Sequence, residues 1–177
     1  MRRPSFLALL FIVFAVAGSA TPRPSGVHST INFPSAVSDA DRAFMSEAAT
    51  GGMAEVEMGR PAASKGRSPA VKQFGRRMVR DHSKANTELK QLARRKAVTL
   101  PTALTEQQKQ DKAKLSRLSG AEFDRKNMSM MVEDHDKDVK AFEDKAGNAD
   151  DADLKRFVTK TLPTLKISST RDIKAKL

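Results

Sequence analysis

The sequence predicts an all-α protein: a four-helix bundle with a short extra helix in its central crossover. Three observations carry that expectation. Apolar residues recur at the 3.6-residue period from Asp39 onward. Strand signals are missing, with no alternating apolar run, no hairpin dipeptide and few β-branched or aromatic residues. Four long periodic segments follow one another through compact connections, and a fifth, shorter one interrupts them midway.

Residues 1–20 read as a secretory signal. Arg2 and Arg3 precede an apolar run from Phe6 to Val16, then Ala17, Gly18, Ser19 and Ala20, which places cleavage after Ala20 or Ala17. The run falls short of the ~20 apolar residues that span a bilayer. No later segment is apolar enough to span, so the mature chain is expected to carry no transmembrane helix. Residues 21–38 are rich in Pro, Ser, Thr and Gly and read as a flexible tether. His28 lies in this tether and is given no role. Residues 39–177 form the bundle domain.

The first helix starts after Ser38, with Asp39 and Asp41 at its positive end. Its inner face carries Phe44, Ala48, Gly51, Glu55, Met58 and Ala62, and Pro61 is expected to kink it or end its regular part. The second opens with Ser68 as cap and Pro69 in the first turn, where a missing N–H costs nothing, and runs to about Lys96. Its stripe is Val71, Phe74, Met78, His82, Ala85, Leu89 and Leu92. A break containing Pro101 leads to a short polar helix from Thr105 to Leu118, with Thr105 and Gln108 placed for a capping box. A third long helix, Ala121 to Lys145, turns Phe123, Met128, Met131, His135, Val139 and Phe142 inward, and Gly147 with Asn148 is expected to close it. The last begins near Asp151 and carries Leu154, Phe157, Val158, Thr161, Leu162 and Leu165, with Pro163 bending it.

Polar chemistry sits on these apolar stripes. His82 and His135 both face inward, and Glu55 lies on the core stripe of the first helix. All three fall near the midpoints of their helices, so they are expected to share one layer. One carboxylate and two imidazoles are a reasonable ligand set for zinc, iron, manganese or copper. The competing reading is a buried polar network without metal. Asp81 and Asp134 point about 100° away from the adjacent histidines and are expected at the periphery. The Glu-x-x-His repeat of di-iron bundles is absent, since Val79 and Val132 occupy the carboxylate positions. Met128, Met130 and Met131, with Met45, Met53, Met58 and Met78, offer soft thioethers that suit Cu(I), but they also suit a core. No nucleophile elbow, zinc-protease motif or phosphate-binding loop is present, and no acid, base and pocket can be assembled, so an enzyme ranks behind a binding protein.

The chain has a net charge of +11, which falls to +9 once Arg2 and Arg3 leave with residues 1–20. Such a surface is drawn to anionic envelope components, with an attraction that weakens as salt rises. A structural or interaction protein docking this basic surface, without metal, is therefore the alternative function. Nucleic acid is disfavoured as a partner, because Trp and Tyr are absent and the basic residues are spread over every helix. With no cysteine, the domain folds on its core alone.

Four sets of residues carry a family resemblance: Ala48-Ala49-x-Gly51-Gly52-x-x-Glu55; Val71-Lys72-x-Phe74 with Met78-x-x-Asp81-His82; Phe123-Asp124 with His135-x-x-x-Val139; and Thr161-Leu162-Pro163-x-Leu165. Phe44 to Leu165 resembles a family of exported bacterial proteins with a ferritin-like bundle, catalogued as a domain of unknown function and often labelled outer-membrane proteins. The resemblance implies a ferritin-like fold and a periplasmic or outer-membrane-associated location, but the family brings no settled biochemical function; the chain itself is expected to be an envelope or stress-related binding protein. Two positions depart from the family pattern: Ser168 replaces a usual histidine that would bring the fourth helix into a central site, and Pro61 replaces a usual leucine.

Overall fold

The computed structural model describes residues 37–168, with the backbone alone for residues 167 and 168. The expected signal peptide, His28 and all but the last two residues of the tether lie outside the described residues, as does the side chain of Ser168. Five helices are present among the described residues: α1 (Asp39–Lys65), α2 (Pro69–Arg95), α3 (Glu106–Ser116), α4 (Gly120–Asn148) and α5 (Ala152–Ser168). There is no strand among the described residues, and no helix is long and apolar enough to cross a membrane.

The helix starts follow their caps. Ser38 Oγ accepts from Asp41 N, Ser68 Oγ accepts from Ala70 N just ahead of Pro69, and Thr105 with Gln108 closes a reciprocal capping box. Tertiary ties displace two expected boundaries. α4 continues through Gly147 and Asn148 to a cap at Ala149, because Lys145 in its last turns is buried and bonded to Asp41 Oδ1 at 3.1 Å. Asp41 also accepts from the backbone N–H groups of Asp150 and Asp151, so one buried carboxylate fastens the start of α1 to the α4–α5 turn. α4 opens at Gly120, one residue before the expected Ala121, at a φ of 58° that favours glycine. α1 runs through Pro61 to Lys65, since Met58 and Ala62 still pack on α2 below the lost hydrogen bond.

The core divides into two apolar clusters. One joins the start of α1 (Phe44, Met45, Ala49), the end of α2 (Leu89, Leu92), Phe142 of α4, and α5 from Leu154 to Leu165. The other joins the second half of α1 (Met58, Ala62), the start of α2 (Val71, Phe74, Met78), the start of α4 (Phe123, Met128, Met131) and Leu115 of α3. α1 therefore runs opposite to α2 and α4, and α5 runs back along the first cluster. The crossover between α2 and α4 travels the length of the bundle: Leu100 packs on the first cluster, and Leu104 on the second. Five methionines are buried core side chains, with Met58, Met78, Met128 and Met131 together in the second cluster, where flexible thioethers fill irregular space.

α1 and α2 approach closely at Gly59 and Gly75. A Cβ on Gly75 would lie 2.5 Å from Ala63 N and 2.6 Å from Gly59 O, both backbone atoms that cannot swing aside. Gly75→Ala is expected to destabilise the fold by about 1–3 kcal/mol through overpacking, read as a lowered urea midpoint with an unchanged slope.

Candidate metal centre

Between the two clusters lies a polar layer. α1 passes from Ala49 to Met58 through Glu55, α2 from Met78 to Leu89 through His82, and α4 from Met131 to Phe142 through His135. The three polar residues are themselves buried, and their ligand atoms all lie within 4.8 Å of one another. The sequence expectation that they share one depth is met. Each carboxylate oxygen faces one imidazole. His135 Nδ1 is 2.8 Å from Glu55 Oε1, while His82 Nδ1 is 2.6 Å from Oε2, a charge-pair contact off the alignment of a hydrogen bond. The rings sit edge to face, 5.6 Å between centroids.

The other nitrogen of His135 decides how the layer works. Nε2 is 2.7 Å from the carbonyl oxygen of Leu165, which only accepts, so Nε2 carries a proton. Leu165 lies in the last turn of α5, where carbonyls lack intrahelical donors and the helix end favours positive charge. With Nε2 protonated, Nδ1 of a neutral ring would aim its lone pair at a carboxylate oxygen. That contact is repulsive unless a cation lies between them. The cation is either a second proton, making an imidazolium, or a metal ion.

Electrostatics agree with that requirement. Burial alone would raise the Glu55 pKa, but the charges and close polar contacts of both histidines outweigh it and hold it at about 2. His135 is raised despite its burial, through the Glu55 hydrogen bond and charge and the Leu165 carbonyl. The layer thus holds a carboxylate and favours a cation beside it.

Asp138, one turn beyond His135, belongs to the same layer and is not among the residues the sequence places there. Burial, the Glu55 charge and a hydrogen bond to Glu55 push its pKa up to about 9, so at neutral pH it is an acid donating its proton to Glu55. Its carboxyl occupies the space beside Gly51, where a Cβ would lie 3.1 Å from both oxygens. Gly52, the next residue, is filled in the same way by Asn86 of α2, whose side-chain oxygen a Cβ would overlap. The paired glycines make room for polar side chains from α4 and α2. Asp81 lies at the periphery, paired with Arg80, and half-buried Asp134 has its pKa raised by burial.

The sequence profile of the family described as Domain of unknown function (DUF4142) matches residues 28–170. The chain belongs to that family. No curated protein and no solved structure matches it. DUF4142 membership covers all five helices and the whole polar layer, and it leaves the chemistry of that layer to be argued from its geometry.

Proposed function

We propose that this DUF4142 protein is an exported, ferritin-like bundle that holds one transition-metal ion at Glu55, His82 and His135, serving an envelope or stress-related binding role. One observation carries the reading: His135 Nε2 is committed to the Leu165 carbonyl, so Nδ1 must meet the Glu55 carboxylate across a cation. A histidine whose outer nitrogen donates to a backbone carbonyl is the arrangement that fixes a ring for metal ligation. The course of the chain, with a single long crossover between parallel α2 and α4, supports the ferritin-like assignment.

Two nitrogens and a carboxylate oxygen suit zinc, iron, manganese and copper alike. Metal–ligand bonds of about 2.0–2.1 Å in a tetrahedron set ligand atoms about 3.3 Å apart. The 2.6 and 2.8 Å contacts would therefore widen slightly on loading. Three protein ligands leave a further coordination position for water or another small molecule, as in metal sites that do chemistry.

Elemental analysis of protein recovered from its exported compartment tests the reading, alongside His82→Ala and His135→Ala. Near-stoichiometric metal in the wild type, lost from both variants, is the expected result. A metal-free wild type that gains no stability from added zinc, iron, manganese or copper would defeat it and leave the basic surface as the working part.

A further inference from the structure

A buried metal centre needs an access route, and two openings reach toward this one. The larger is a cleft of about 500 Å³ beneath the crossover, with Thr102, Ala103 and Leu104 as its roof and Ser83, Asn86 and Thr87 of α2 along one wall. The smaller, of about 150 Å³, lies between α2 and α5 on the other side of α2. Next to the polar layer is a cavity of about 10 Å³ bordered by His82, Asp138, Asn86 and Gly52, large enough for roughly one water.

Asn86 is the side chain shared by the large cleft and this inner cavity. It stands where Gly52 has no side chain, at the boundary between the two spaces. The small opening shares Ala85 and Thr161 with the cavity instead. That boundary is firmer: Thr161 is buried with its hydroxyl bonded to Phe157 O at 2.8 Å, and Lys160 bridges to Glu88 across the opening at 2.9 Å. The large cleft also carries the Glu57 carboxylate, paired with Lys112 at 2.6 Å, a second lysine at Lys90, and hydroxyl and amide oxygens along its length that can replace the water shell of an incoming cation stepwise.

We propose that the cleft beneath the crossover is the route by which a metal ion enters and leaves the Glu55, His82 and His135 centre, with the Asn86 side chain as its gate. This rests on the metal-binding reading above. The gate sets the rate of exchange, and the three ligands set the affinity. Replacing Asn86 therefore changes how fast metal moves while leaving how much is bound.

The test is the rate of cobalt(II) uptake by metal-free protein and of its removal by a chelator, followed by absorbance. Asn86→Ala, which opens the gate, is expected to speed both rates by about tenfold, with the same final stoichiometry. Thr87→Trp, at an exposed position, is expected to plug the cleft and slow both by a similar factor without disturbing the core. Thr164→Trp, at the rival opening, leaves the rates within about twofold of wild type. Wild-type protein that binds cobalt(II) at rates indifferent to Asn86 and Thr87, or slowed by Thr164→Trp instead, overturns the gate and leaves the metal site standing. Wild-type protein that binds no cobalt(II), zinc, iron, manganese or copper overturns both.

Discussion

Glu55→Ala is expected to destabilise the metal-free protein by about 3–5 kcal/mol, the range for removing one member of a buried charged set. The carboxylate is the common partner of His82, His135 and Asp138. Without it, Nδ1 of fully buried His135 loses its counter-charge and half-buried Asp138 loses its acceptor. Glu55→Gln separates charge from size. Its amide can donate to a neutral His135 Nδ1, so this variant is expected to fold with a smaller loss, about 1–3 kcal/mol, and to bind no metal. Urea unfolding of both variants reads the difference. A Glu55→Ala variant as stable as wild type would show that the layer is not coupled in this way.

The second large effect is on pH dependence, whose direction is expected to change with metal. Asp138 ionises near 3.8 in the unfolded chain and near 9 in the fold, so between these values the folded state binds the extra proton and stability falls as pH rises. His135 is raised above 6.5, so the stability it contributes is present below that value and is lost as pH climbs through its folded pKa. Glu55 acts oppositely. Its folded value of about 2 against 4.5 contributes stability above pH 4.5 that disappears on acidification through about 2. From this layer alone the metal-free protein is most stable near pH 4–5 and weakens toward pH 9, by at most about 1.4 kcal/mol per pH unit for each group. Metal must displace the proton between His135 and Glu55, so the stabilisation it adds grows with pH. Asp138→Asn keeps the donor to Glu55 but cannot ionise, and is expected to flatten the metal-free slope. Thermal unfolding across pH, with and without zinc, reads all three trends.

Much of this was written in the helical periodicity. Phe44, Phe74, Met78, Phe123, Met131 and Phe142 fell on the expected stripes and are buried, because each helix has one place to put an apolar face. The triad was legible for the same reason: an ionisable residue at a stripe position, at matching depth on three helices, has no solvent to turn to. Helix ends were less so. Gly147 and Asn148 carry a strong local stop, and only a buried tie from Lys145 to Asp41, far away in sequence, explains why α4 continues. Asp138 was hidden in the acidic and basic run from Glu133 to Lys140, which reads as a solvated face. Its burial depends on the space beside Gly51 on another helix. The Leu165 carbonyl has no side-chain signal at all, yet it fixes the proton on His135.

On the proposed reading, the cation between His135 Nδ1 and Glu55 Oε1 is exchangeable between a proton and a metal ion. Calorimetric titration of the metal-free protein with zinc, at about pH 6 and about pH 8 in buffers of different ionisation enthalpy, tests it most directly. One ion per chain, bound more tightly at the higher pH with net proton release and abolished by His135→Ala, is the result this structure predicts. Saturable binding that is indifferent to pH and survives His135→Ala, or no binding at either pH, would contradict it.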